Sequence, residues 1–271
     1  MGSFVLCCSL FYGLLTFNLR DTLNPVFAHP ITYIKSLFNS NPLPVQTRDT
    51  KGYTLVLVGD SMTEVLGTAD PLREALKDYY PEKEFGILNF SIGSTSILSV
   101  PARLKMEAKR QTETLPAVLD TKPDIIFLES FGNNPLSQYP LNEGLKKQTE
   151  TLKKIVEIIK ENNPETVLVF TATIAPSKDR YAEGIVDLLP AQREKWAEER
   201  IAYIKNHIEF AESHNIPLIN TFEKSLTKEG NGSPQYLDGN FIHPSAAGMQ
   251  LISQHIADYI FINKIIPTTG I

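Results

Sequence analysis

The feature that most constrains this chain is a set of five short runs that are apolar at nearly every position. Leu55-Val56-Leu57-Val58 and Ile125-Ile126-Phe127-Leu128 are the clearest. A strand with one face in water alternates apolar and polar side chains. A run without that alternation is buried on both faces, which is the condition of a strand in a parallel sheet covered by helices on each side. Residues 53–58, 85–90, 124–130, 166–173 and 216–222 read as five such strands. Helical patterns fall between and after them at 71–80, 103–119, 141–162, 191–214 and 245–261. Within 145–159, Leu152, Ile155, Val156 and Ile159 share one face, and Trp196, Tyr203, Ile204 and Ile208 are the expected buried face of the helix at 191–214. Strand–helix alternation of this kind predicts a doubly wound α/β domain over 51–262, with 263–271 as a tail.

Composition narrows the function. A chain of 271 residues that is 42% hydrophobic can bury one substantial core. A net charge of -5 and a pI near 5.6 provide no basic field for a phosphate backbone, so no nucleic acid partner is expected. Cys7 and Cys8 are the only cysteines, and side by side they are poorly placed to staple a fold or to make a zinc site of the usual spacing. No metal or cofactor is called for. Residues 1–19 carry no charged side chain. At about 1.5 Å per helical residue they approach the roughly 30 Å hydrocarbon core of a bilayer. They are expected to act as a membrane anchor or signal segment with the domain outside the cytoplasm; a docked helix and a cytoplasmic domain are the alternatives. Arg20 follows the run and no Lys or Arg precedes it, so the positive-inside signal is almost absent and leans, if anywhere, against a secreted domain. Residues 20–50, with Pro25, Pro30, Pro42 and Pro44, read as a spacer.

In an open parallel sheet, ligands bind beyond the carboxyl ends of the strands, where the direction of winding reverses. The first strand runs into Gly59-Asp60-Ser61-Met62-Thr63, which puts the Ser61 hydroxyl on a strand-to-helix turn beside helix N–H groups that favour developing negative charge. Helix capping by Asp60 and Ser61 is the plainer reading of the same residues. The second strand ends at Gly93 and the third at Gly132-Asn133-Asn134-Pro135, supplying a backbone N–H and a side-chain amide, although Gly and Asn are also ordinary turn residues. The loop before the last helix, Tyr236-Leu237-Asp238-Gly239-Asn240-Phe241-Ile242-His243-Pro244-Ser245, delivers His243 to the same edge. A serine nucleophile needs such a base, and the base needs an acceptor on its other nitrogen. The loop at 175–190 borders this edge and carries Arg180 and Tyr181, which are candidate substrate contacts.

Taken together, Gly59-Asp60-Ser61-Met62-Thr63, Gly93, Gly132-x-Asn134 and His243-Pro244 resemble the four blocks of the SGNH (GDSL-like) hydrolases, in the family's order and across most of the domain. The resemblance implies a flavodoxin-like three-layer α/β/α sandwich and ester hydrolysis through an acyl-enzyme. It implies Ser61 as nucleophile, His243 as base, and the Ser61 N–H, the Gly93 N–H and the Asn134 amide as oxyanion hole. The match departs from the family at two places. Pro135 stands where Asp often follows the oxyanion Asn, and Asn240 stands three residues before the histidine, where the family places its acid. Asp238, five before, is the preferred orienting group because a carboxylate stabilises an imidazolium better than an amide does, and Gly239 allows the necessary detour. Asn240 through its amide oxygen, or a Ser61–His243 dyad, are the other possibilities. The expected activity is therefore a serine esterase acting on a carboxylic ester, an acetyl ester of a carbohydrate or a lipid ester. An O-acyltransferase with the same acyl-enzyme and an inactive surface-anchored binding module are the alternatives.

Overall fold

A computed structural model of the chain describes residues 52–267. The expected anchor at 1–19, the spacer at 20–50 and the last four residues of the tail lie outside that range. The described chain runs β1 (Gly52–Val58), α1 (Ser61–Glu64), α2 (Asp70–Tyr79), β2 (Glu84–Asn89), α3 (Val100–Lys105), β3 (Ala108–Arg110), β4 (Glu113–Leu115), β5 (Ile125–Glu129), α4 (Leu141–Asn162), β6 (Val167–Ala172), α5 (Pro190–Ser213), β7 (Leu218–Asn220), α6 (Thr221–Lys224) and α7 (Ala246–Ile262). The five strands expected from apolar runs form one sheet in the order β2-β1-β5-β6-β7, with every neighbouring pair parallel.

Continuous burial explains the runs: all five residues of β5 are buried, and Leu55 to Val58 of β1 are at most 1% exposed. Val56, Val58, Ile126, Leu128 and Phe170 join the cluster that contains Val100, Leu104, Leu152, Ile155 and Phe210, so one face of the sheet is covered by α3, α4 and α5. On the other face α2 packs against α7, with Tyr79 stacked on Phe261 at 4.4 Å between centroids. The result is a three-layer α/β/α sandwich with the strand order of a flavodoxin-like sheet. Its winding reverses between β1 and β5, which sets the crevice beyond the ends of those two strands. Among the described residues no helix is long and apolar enough to cross a membrane.

Two expectations fail. The helix expected at 103–119 is instead the short α3, an antiparallel β3–β4 hairpin and a single 3-10 turn at Val118–Thr121. Residues 107–113 are mostly good helix formers, but they carry no apolar stripe, so nothing would hold such a helix to the sheet. Met106 goes extended, Gln111 turns the hairpin at φ 51°, and Arg110 fixes it to β2 by donating to the carbonyls of Asn89 at 2.7 Å and Ser91 at 3.3 Å. Second, Trp196 is 38% exposed rather than part of the buried face of α5, while Tyr203 and Ile204 are buried as expected.

Candidate active site

The site is assembled from the ends of β1, β2 and β5 and the loop before α7. Asp60 caps the single turn α1, its Oδ1 accepting the Met62 N–H at 2.8 Å, so capping and presentation of Ser61 coexist. The turn is tight: a Cβ on Gly59 would lie 2.6 Å from Thr63 Oγ1 and 2.9 Å from Glu129 Cβ, which restricts this position to glycine. Ser61 is thereby held half-exposed at the sheet edge.

His243 arrives on a closed loop. Leu237 bridges Pro244, Asp238 N donates to the His243 carbonyl at 2.9 Å, and Phe241 takes φ 54° to let the chain reverse. His243 Nε2 lies 3.0 Å from Ser61 Oγ. Its Nδ1 lies 3.2 Å from Nδ2 of Asn240. Asp238 makes its side-chain contacts with Asn240 rather than the imidazole: Oδ2 accepts from Asn240 Nδ2 at 2.9 Å and Oδ1 from Asn240 N at 3.0 Å. Asn240 thus stands between the carboxylate and the histidine.

Gly93 and Asn134 converge on the same crevice, and each already has a carboxylate partner. The Gly93 N–H donates to Glu64 Oε2 at 2.5 Å, and Asn134 Nδ2 donates to Asp60 Oδ2 at 2.8 Å. An amide nitrogen has two hydrogens, so Asn134 keeps a second one.

Beneath the crevice lies a buried acid pair. Asp60 is 0% and Glu129 3% exposed, and Glu129 Oε2 accepts the Asp60 N–H at 3.3 Å. Burial raises both carboxyls above their ordinary values. Glu129 is raised further by the neighbouring Asp60, whereas the Asn134 amide and the Met62 N–H help to keep Asp60 ionised. Of the two, Glu129 is pushed the more strongly towards the protonated form. Arg103, also buried, donates to the Phe90 carbonyl and at 3.5 Å to that of Gly59. Burial brings its guanidinium down to about 10, still cationic at neutral pH beside Asp60.

The two residues expected to meet substrate differ in placement. Tyr181 is 3% exposed, donating its hydroxyl to Asn133 Oδ1 at 3.1 Å and accepting from Arg200 Nε at 2.9 Å, so it forms part of the wall. Arg180 is at the surface, paired with Glu183 at 2.6 Å and 3.8 Å over the ring of Phe241, two residues from His243. Glu64, Glu129 and Arg103 were missed as site residues. Glu129 had a legible signal, an acid at the end of an otherwise apolar, doubly buried strand. Glu64 had only its position one helical turn beyond Ser61.

A hydroxyl within reach of an imidazole nitrogen, set where a parallel sheet reverses its winding and faced by amide donors, marks a serine hydrolase. The profile of the GDSL-like Lipase/Acylhydrolase family matches residues 57–251, from the end of β1 into α7, and the chain belongs to that family. No curated protein matches the chain. Solved structures share its fold: a lipase/acylhydrolase from Enterococcus faecalis is 19% identical, covering 80% of this chain and 100% of its own, with a TM-score of 0.57. A GDSL-like lipase from Bacteroides thetaiotaomicron is 15% identical over 88% of this chain and 98% of its own, with a TM-score of 0.53. A catalytic mutant of an acetylxylan esterase from Geobacillus stearothermophilus is 18% identical over 81% and 96%, with a TM-score of 0.55. As a member of this family the chain is an SGNH-type serine hydrolase that acts on ester bonds.

Proposed function

We propose that the chain cleaves a carboxylic ester through an acyl-enzyme on Ser61. The observation that carries this reading is the 3.0 Å approach of His243 Nε2 to Ser61 Oγ. His243 takes the Ser61 proton as Oγ attacks the carbonyl carbon, and the Ser61 N–H, the Gly93 N–H and the Asn134 amide receive the negative oxygen. The intermediate collapses, His243 returns the proton to the departing alcohol, and water activated by the same nitrogen releases the acid. For Gly93 to take part, the carbonyl oxygen must displace the Glu64 carboxylate.

An acetyl ester of a carbohydrate is the substrate class this reading favours. Its support is the acetylxylan esterase among the structures of like fold, together with the rim beside His243, where the Arg180 guanidinium over Phe241 presents fixed donors and an aromatic surface. The uncharged run at 1–19 would hold the domain at a membrane. The test is acetate release from acetylated oligosaccharides, compared between wild type and Ser61→Ala, with a competing alcohol in the reaction. Acetate released by wild type alone supports the esterase. Acetyl transfer to the alcohol in preference to water would make the chain an acyltransferase, and tight binding without either product would make it a binding module.

A further inference from the structure

The orientation of the Asn240 amide is over-determined. Its Oδ1 accepts from the N–H of Ile242 at 2.8 Å and of His243 at 3.1 Å, and its Nδ2 donates to Asp238 Oδ2 at 2.9 Å. Turning the amide round would break all three and set N–H groups against N–H groups. With the amide so fixed, what faces His243 Nδ1 at 3.2 Å is the second hydrogen of Nδ2. An imidazole nitrogen that receives an N–H must present its lone pair, and a neutral ring has one N–H and one lone pair. The ring proton therefore sits on Nε2, the atom 3.0 Å from Ser61 Oγ. That is the opposite of the tautomer a general base requires.

We infer that Asn240, locked by Asp238, is a positioning residue that holds neutral His243 as the Nε2–H tautomer and so restrains turnover at Ser61. The inference rests on the serine-esterase reading. Before His243 can accept the Ser61 proton, one proton must leave Nε2 for solvent and another enter at Nδ1, a net shift that needs no other reactant. Once there, the Nδ1 proton confronts the Asn240 N–H, and the amide must give up its three bonds or the ring must move. The imidazolium formed during attack meets the same obstacle. Asp238, with its charge directed at Asn240, makes the lock rather than relieving it.

The arrangement can be inverted without changing net charge. In the double variant Asp238→Asn, Asn240→Asp, the residue at 240 keeps an oxygen for the Ile242 and His243 N–H groups and turns a second oxygen to Nδ1, while the amide at 238 donates to it. In serine triads, replacing the orienting Asp with Asn costs about 10⁴-fold in turnover through the wrong tautomer. The swap is the reverse change, and kcat is expected to rise by about 10²-fold or more with KM little altered.

The full chain, labelled with ¹⁵N at histidine and with His243→Gln to assign the resonance, is expected to report a protonated Nε2 in wild type and a protonated Nδ1 in the swap. A wild-type Nδ1–H would overturn the inference with no variant needed. A swap that changes the tautomer but leaves kcat unchanged would overturn the claim that the tautomer restrains turnover. The nuclear magnetic readout does not depend on ester chemistry. Hydrolysis that survives Ser61→Ala would thus sink the reading of Ser61 as nucleophile while leaving the tautomer assignment standing.

Discussion

Glu64 occupies a donor that the proposed reaction needs. Its carboxylate takes the Gly93 N–H at 2.5 Å, and a Cβ built on Gly93 would lie 2.6 Å from the same oxygen and 3.4 Å from Ser61 Cβ, so the carboxylate is lodged beside Ser61. Replacing it with a carbonyl oxygen means breaking a hydrogen bond to a charged group, which is worth about 1.5–3 kcal/mol net. Glu64 is partly exposed, so solvent screening reduces this to about 1–2 kcal/mol. The displaced carboxylate has room to go to, because Glu64 also borders a cavity of about 690 Å³ between β2 and the β3–β4 hairpin. At 1.36 kcal/mol per tenfold change in rate, Glu64→Ala is expected to raise kcat/KM for an acetyl ester by about 5- to 30-fold. Glu64→Gln, whose amide oxygen still accepts the Gly93 N–H without the charge, is expected to fall between that and wild type. Steady-state hydrolysis with matched thermal melts is the assay. If Glu64→Ala hydrolyses no faster than wild type while melting at the same temperature, Glu64 does not compete with substrate for Gly93.

Three other outcomes follow from the same geometry. Asn134→Ala removes a proposed oxyanion donor and is expected to lower kcat by about 100- to 1000-fold with a smaller change in KM, read from initial rates. His207 is fully buried, stacked on Phe170 at 4.4 Å, and burial lowers it to about 3; unfolded, it titrates near 6.5. The unfolded chain therefore binds a proton that the fold refuses, and this contribution to stability is complete above pH 6.5 and declines as the pH falls towards 3. The raised carboxyls of Asp60 and Glu129 have the opposite slope, so the clean readout is a difference. Relative to His207→Gln, wild type is expected to lose up to about 1.4 kcal/mol per pH unit below 6.5 in urea denaturation, and a pH-independent difference would refute the assignment. Gly132→Ala would place a Cβ 2.3 Å from Ile204 Cγ1 and 3.2 Å from the Arg200 carbonyl, and overpacking of this kind is expected to cost about 1–3 kcal/mol, read as a lowered Tm.

The parallel sheet was legible because burial on both faces leaves a mark in every residue of a strand, as in Ile125 to Leu128, and the 22-residue α4 was legible through its own stripe. Residues 103–119 misled because intrinsic helix preference pointed one way and the lack of an apolar stripe the other; tertiary contacts decided in favour of the hairpin. Ser61 and His243 could be singled out because each falls at a sheet edge, and the fold brings them together across 182 positions of sequence. What spacing could not reveal was the direction of short side chains. Asp238 was expected on the imidazole, but its carboxylate turns back onto Asn240, two residues on, taking both its backbone N–H and its side-chain amide. Glu64 was silent for a related reason: an acid in the first turn of a helix is ordinary, and only the approach of β2's end to α1 gives it Gly93 as a partner.

The central claim, that Ser61 is the nucleophile, is tested most directly by covalent capture. The full chain treated with a fluorophosphonate should gain the mass of one phosphonyl group, and peptide mapping should place it on Ser61 within the segment that links β1 to α1. Ser61→Ala should gain nothing under the same exposure. Equal labelling of Ser61→Ala, or an adduct on any other residue of the wild type, would contradict the account.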